Sequence, residues 1–344
     1  MSATLRIDLT AFEENLRAVR DRVAPAETML VVKDDAYGHG LAPIVSRAWL
    51  SGVRWFGAFD VETGVQVRRE LGRDARVFSW MVFGAAQTTA AVSADLDIGV
   101  GDAATLEEVA AAAQRAGAVA RVHLKVDTGL HRNGVRPEDW AVFVDRAVEL
   151  AARRAIDVVG VWSHIAEASD DEDDAARARY EVAVAQLRAR GVAEPLRHLS
   201  ASAAAFARPQ FRYDIVRIGA FCYGIRPAGG PDEQQLGLAP VATLEADVIA
   251  LENGATRLGV GSCDGLPSTL AGRVHVRTPG GDRRLLGIED TEALVESWPD
   301  AAIGQRVQIF GGGAPSQTDL AEKIDSIGEE IAVRISPLVA RCHR

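Results

Sequence analysis

The 344-residue chain has little cysteine: Cys222, Cys263 and Cys342 are odd in number and far apart. That argues against a disulfide framework or a zinc cluster and suits free thiols in a reducing compartment. No apolar run reaches membrane-spanning length, and the first residues, Met1-Ser2-Ala3-Thr4-Leu5-Arg6-Ile7-Asp8, lack the apolar core of a signal peptide. The expected location is therefore cytoplasmic. A basic stripe is missing too: 38 Lys and Arg against 48 Asp and Glu leave a formal charge of −10. That argues against nucleic acid and anionic membranes as partners. No G-x-G-x-x-G loop follows the first apolar run, as a doubly wound dinucleotide-binding sheet would require. No metal site is expected.

What is present is alternation. Short apolar runs at Met29–Lys33, Trp55–Phe59, Val77–Val82, Leu96–Val100, Ala118–Val126, Val158–Ser163, Leu196–Ser202 and Ile215–Phe221 alternate with amphipathic helical stretches. Eight strand-plus-helix units predict an α/β fold with a (β/α)8 TIM-like barrel over residues 10–228. After Pro227 and the linker Gly229-Gly230-Pro231 come short runs broken by turns such as Pro279-Gly280-Gly281-Asp282. These predict a mainly β C-terminal domain over 235–344, with the N-terminal strand 1–9 able to join it. Ile331–Ile335 reads as one of its strands.

Barrels of this kind carry their chemistry at the C-terminal ends of the strands, and the conspicuous polar residues fall there. Lys33 ends the first run, in Val31-Val32-Lys33-Asp34-Asp35-Ala36-Tyr37-Gly38-His39-Gly40. A lysine at the end of a buried strand is disfavoured as a cation, and a desolvated amine can form a Schiff base with an aldehyde. Arg132 follows the fifth run, His164 the sixth and Ser202 the seventh; Arg217 lies within the eighth, with Gly219 and Ala220 just beyond. An aldehyde-binding lysine plus a phosphate site is what pyridoxal 5′-phosphate requires.

The lysine-tyrosine turn, Lys125-Val126-Asp127-Thr128-Gly129, Ser163-His164 and Asp214-Ile215-Val216-Arg217-Ile218-Gly219 together resemble the alanine racemase family of fold-type III pyridoxal-phosphate enzymes. The resemblance runs from about Ile7 to Ser336. It implies that Lys33 binds the cofactor and serves as one acid/base. Tyr37, Ser202 and the backbone N–H groups of Gly219 and Ala220 would hold the phosphate. His164 would pack on the ring, and Arg217 would face the pyridine nitrogen with His198 behind it. Arg132 would reach the cofactor's O3′ and the substrate carboxylate. Lys125 matches a lysine often carbamylated in the family and would buttress Arg132. A homodimer is implied, because one subunit's second domain completes the other's site.

The physics of Arg217 bears on the reaction. A guanidinium does not deprotonate in proteins, so it should leave the pyridine nitrogen unprotonated and the ring a weaker electron sink. That favours returning a proton to Cα over transamination. The fork of Arg132 suits a carboxylate, so an α-amino acid is the natural substrate.

Departures from the family cluster in the second domain. The segment carrying the partner-subunit tyrosine is missing, since Leu251-Glu252-Asn253-Gly254 runs almost directly into Thr256. The family's Gly-Tyr-Ala-Asp-Gly reads Gly261-Ser262-Cys263-Asp264-Gly265, its Cys-Met-Asp reads roughly Ile288-Glu289-Asp290, and its late phosphate-binding tyrosine falls near Glu329. Two-base racemisation needs a proton-transfer group on each face of the carbanion; Lys33 covers one, the other has no obvious occupant, and a thiol such as Cys263 could serve there. A glutamate beside a phosphate would repel it, so either Glu329 points elsewhere or the phosphate is held differently.

Blander readings stand beside these. Lys33 alone could be a strand-end lysine snorkelling to solvent, Ser202 a helix N-cap, and Asp170–Asp174 a solvated helix start. The expected function is an amino-acid racemase or epimerase. A lyase, decarboxylase or aldolase that has lost the second base, or a non-catalytic relative that binds the cofactor, are the alternatives.

Overall fold

The computed structural model describes residues 3–252 and 254–344; Met1, Ser2 and Asn253 lie outside them. By compactness the chain divides into two units, Val19–Lys33 with Ala48–Gly219, and Met1–Ala18 with Asp34–Arg47 and Ala220–Arg344. They are called here the barrel unit and the β unit.

In chain order the strands are β1 (Ala3–Ile7), β2 (Glu27–Val31), β3 (Trp55–Asp60), β4 (Arg76–Met81), β5 (Asp97–Val100), β6 (Ala120–Lys125), β7 (Ile156–Trp162), β8 (Leu196–His198), β9 (Ile215–Ile218), β10 (Ala242–Glu252), β11 (Ala255–Leu258), β12 (His275–Thr278), β13 (Gly281–Ile288), β14 (Ala293–Glu296), β15 (Arg306–Phe310) and β16 (Ala340–His343).

The barrel unit is a parallel sheet of eight strands in the order β8-β7-β6-β5-β4-β3-β2-β9. Its two end strands are joined by Asp214 N–H to Arg197 O at 3.2 Å and Arg217 N–H to Ser200 O at 3.3 Å, so the sheet is a nearly closed barrel. Strands buried on both faces read as continuous apolar runs, which is why these were visible as such. Met29, Trp55, Phe78, Trp162 and Ile215 fill the interior. Three of the intervening helices start on short polar caps that satisfy orphan N–H groups: Asp60 accepts from Thr63 N–H, Asp102 from Thr105 N–H and Ser169 from Glu172 N–H.

In the β unit the sheet order is β11-β14-β13-β12-β15-β10-β1-β16, with β10 also pairing β11. β1 runs antiparallel to β10 and parallel to β16, so the N-terminal strand belongs to this sheet. Between β10 and β11 the chain turns back at once: Leu251 pairs Thr256 and Glu252 pairs Ala255. Gly254 has φ +79°, in the left-handed region that favours glycine. One expectation fails here. Ile331–Ile335 is not a strand; Gly328–Arg334 is a helix. A short apolar run cannot be assigned to helix or strand by periodicity alone.

Candidate active site

Val32 N–H donates to Gly57 O at 2.9 Å, extending the β2–β3 ladder to the residue before Lys33. Lys33 therefore stands at the C-terminal end of its strand, as expected. The next four residues, Asp34, Asp35, Ala36 and Tyr37, have φ of 53°, 54°, 54° and 55°. No glycine is among them, and a left-handed backbone costs an L-residue roughly 1–2 kcal/mol.

The β unit holds this turn in place. Gly38 N–H bonds Asp34 O, Gly40 N–H bonds Asp35 O, and Asp35 Oδ1 accepts from Leu41 N–H at 2.7 Å. His39 is buried, with Nδ1 within 3.0 Å of Ala36 O and Tyr37 O. From β16, Arg341 donates to Gly38 O at 3.2 Å, and His343 Nε2 lies 2.7 Å from His39 O. A Cβ on Gly38 would sit 3.0 Å from Ala332 O, so the turn packs directly on the helix that carries Glu329. Tyr37 is buried against Tyr223, ring centroids 4.8 Å apart. Burial first, then the Glu329 carboxylate, then Asp34 and Cys222 push its phenol well above the usual range. The charge of Glu329 thus acts on a tyrosine expected to hold phosphate.

In the barrel unit a second cluster forms around Arg217 of β9. Its guanidinium is buried, with Nη2 2.8 Å from Ser163 O, 3.0 Å from Leu199 O and 3.1 Å from His164 Nδ1. Nη1 is 3.2 Å from His198 Nδ1. Burial lowers this guanidinium to about 10, still charged at neutral pH. His164 stands two residues past β7. Burial, then the charges of Arg217, Arg132, Lys125 and Lys33, drive its imidazole down to about 3. Lys125, the last residue of β6, lies over the Trp162 ring at 4.3 Å. Burial and the neighbouring Arg217 and Arg132 lower its amine to about 8.

Arg132 is exposed in the loop after β6. That loop is braced by Asp127, which accepts from Gly129 N–H at 3.0 Å and His131 N–H at 3.1 Å. Gly134 closes it at φ +119°, where a Cβ would meet Asp127 N at 2.8 Å. Ser202 is the first residue of the helix Ser202–Ala207; Ala201 is the cap, so the N-cap reading of Ser202 does not hold. The Ala204 N–H of this helix donates to Glu167 Oε1 at 3.0 Å. Asp170–Asp174 does start a helix, but Asp173 within it is buried and accepts from Glu167 N–H at 3.1 Å.

Lys33, Lys125, Arg132, His164, His198, Ser202, Arg217 and Gly219 all belong to the barrel unit, whereas Tyr37, Ala220 and Cys263 belong to the β unit. Cys263 is exposed, in the turn Ser262–Asp264, with its N–H on Asp290 O at 2.8 Å.

Two residues absent from the sequence reading extend the Arg217 cluster. His198 Nε2 lies 2.9 Å from His123 Nδ1, and His123 Nε2 lies 3.5 Å from Asp97 Oδ1. Asp97 is fully buried and takes Arg76 Nη2 at 2.6 Å, Arg76 Nε at 3.0 Å and Arg121 Nε at 3.2 Å. The available signal was strand alternation: His123 and Lys125 are two apart on β6 and face the same side.

The family described as "Alanine racemase, N-terminal domain" matches residues 7–227. The alanine racemase of Beutenbergia cavernae is 35% identical, over 98% of this chain and 96% of its own. That match spans 365 positions, more than the 344 residues here, so the relative carries residues this chain lacks. Among solved structures, alanine racemase from Streptomyces lavendulae is similar with a TM-score of 0.94 at 32% identity, over 100% of this chain and 97% of that one. Alanine racemase from Streptomyces coelicolor gives 0.95 at 31% identity, over 99% and 98%.

Proposed function

The chain belongs to the alanine racemase family, and from that premise we propose that it is a pyridoxal-phosphate-dependent racemase acting at Cα of alanine or a close analogue. Relatives named alanine racemase that match along their whole length favour racemisation over the lyase and non-catalytic readings. The observation that carries the proposal is the cationic setting of His164: Arg217 Nη2 stands 3.1 Å from its Nδ1, and the charges of Arg132, Lys125 and Lys33 also act on it. Four like charges repel one another, and an anionic ligand complements them. The donor set therefore fits a cofactor with an aldehyde, a phosphate and a ring nitrogen: Lys33 for the aldehyde, Arg217 for the nitrogen, and Tyr37, Ser202, Gly219 and Ala220 for the phosphate. Residues 10–228 serve as the cofactor-binding domain and 235–344, with strand 1–9, as its complement in a homodimer.

When bound, the cofactor supplies an electron-withdrawing ring that acidifies the substrate's Cα–H. The chain's own residues do the rest. Lys33 takes or returns the Cα proton on one face. Arg217, able only to donate, keeps the acceptor it faces unprotonated. Arg132 offers a fork to the substrate carboxylate. His164, neutral at working pH, presents a ring without a further charge. Lys125, partly neutral near its pKa of about 8, is open to carbamylation, which would turn a cation beside Arg132 into an anion. Cys263 takes the opposite face of Cα.

Reconstituted protein incubated with D- or L-alanine and analysed by chiral chromatography should interconvert the two. Borohydride treatment and peptide mapping should leave a pyridoxyl group on Lys33. Failure to interconvert the enantiomers of any amino acid, with Lys33 modified, would overturn racemisation while sparing the cofactor assignment.

A further inference from the structure

Arg217 is a donor at every nitrogen, and that fixes the hydrogens of everything behind it. His198 Nδ1, 3.2 Å from Arg217 Nη1, must accept and so carries no proton. A neutral imidazole then holds its proton on Nε2, which points at His123 Nδ1 at 2.9 Å. His123 Nδ1 must accept in turn, leaving its proton on Nε2, toward Asp97 Oδ1 at 3.5 Å. The chain has one allowed direction, and Asp97 is its terminal acceptor.

Both rings are fully buried. Burial holds His123 and His198 below the ordinary imidazole range, so both are neutral. The charged groups around them are Arg217 at one end and Asp97, Arg76 and Arg121 at the other. Asp97 stays ionised despite burial, because Arg76 and Arg121 bond its carboxylate and His123 Nε2 lies 3.5 Å from it.

We propose that Asp97 is a positioning residue for Arg217: through His123 and His198 it locks both rings with hydrogen on Nε2, so that a lone pair always faces the guanidinium. With the acceptor at position 97 removed, His123 Nε2–H has no partner. Reversing both tautomers relieves that, but it sets His198 Nδ1–H against an Arg217 N–H. The guanidinium must then shift from the acceptor it faces. The inference rests on the cofactor-facing role given to Arg217 above.

The test is 15N NMR of the histidine rings in the holoenzyme, with a pH titration of the cofactor's visible absorbance. His123 and His198 are expected neutral with hydrogen on Nε2 between pH 6 and 8. Asp97→Leu, which removes the acceptor, should give mixed or reversed tautomers, a shifted absorbance titration and a kcat lower by roughly tenfold or more with KM little changed. Asp97→Asn, which can keep an oxygen in the Oδ1 position, should retain the wild-type tautomers. A proton on His198 Nδ1 in the unaltered protein would overturn the proposal. So would a folded Asp97→Leu variant with wild-type tautomers and titration. If Asp97→Leu does not fold, the unaltered protein and Asp97→Asn still decide. Expected tautomers in a protein that binds no pyridoxal phosphate would sink the functional reading and leave the lock intact. Bound cofactor with the wrong tautomers would sink the lock alone.

Discussion

Arg217 lies buried at the centre of two carbonyl oxygens and two histidines, all within 3.2 Å, and is tied through a second histidine toward a buried carboxylate. Cys263 sits exposed on a three-residue turn, anchored by a backbone hydrogen bond to Asp290. A charge in a dry interior is tolerable only when every neighbour is arranged around it. Changing one member there disturbs the rest. A side chain on a surface turn can be exchanged while the backbone stays as it was. The residues singled out in the sequence divide between the two settings: Tyr37, Ala220, Ser262, Cys263, Glu329 and the β10–β11 hairpin lie in the β unit, whereas Lys33, Lys125, Arg132, His164, His198 and Arg217 lie in the barrel unit.

The contrast can be broken most directly at the lysine. Lys33→Ala should abolish racemisation and leave no pyridoxyl-modified peptide after borohydride. Residual racemisation by this variant would move the chemistry out of the barrel. Next comes the proposed partner face. Cys263→Ala should slow racemisation by about 10²–10⁴-fold, the usual value of a positioned acid or base, while deuterium exchange at Cα of one enantiomer continues. Unchanged racemisation would remove the thiol from the reaction.

Acid sharpens the comparison through stability. His39 in the β unit is driven to about 4 by burial, and His123 and His198 in the barrel unit are also lowered. The unfolded chain has ordinary imidazoles near pH 6.5. Below that value the unfolded state binds more protons than the native one, so stability rises with pH and is lost as pH falls from about 6.5 toward 4. Each such ring contributes at most about 1.4 kcal/mol per pH unit. Urea midpoints at pH 7.5, 6 and 5 should fall in that order, and a flat series would mean the rings are not buried neutral. The smallest effect is expected at the hinge of the Arg132 loop. Gly134→Ala, at φ +119° and crowded by Asp127, should cost about 1–3 kcal/mol and raise KM for the amino acid more than it lowers kcat.

Much of the barrel was legible because its strands are buried on both faces and stand out as apolar runs, each ending near a polar residue. Lys33 and His164 could be placed near strand ends from that pattern, Arg132 after its strand and Arg217 within its own. His123 and Asp97 were not legible. Each sits inside an apolar run, where a single polar residue reads as core and its partner is far away in sequence. Glu329 was legible as a substitution but not in its position, because only the packing of Gly38 against Ala332 brings its helix to Tyr37. The left-handed run from Asp34 to Tyr37 was invisible, since sequence signals such a backbone by glycine and these residues are none.

That run carries a chemical irony. A backbone at φ near +54° is the mirror image of the ordinary helical one, so it suits D-residues as well as it troubles L-residues. At Asp34, whose side chain is exposed, a D-aspartate placed by peptide ligation would sit free of the carbonyl crowding that the natural stereoisomer endures. A protein proposed to make D-amino acids holds, next to its own lysine, a stretch of chain whose shape a D-residue would fill with less strain than the ribosome's L-residues do.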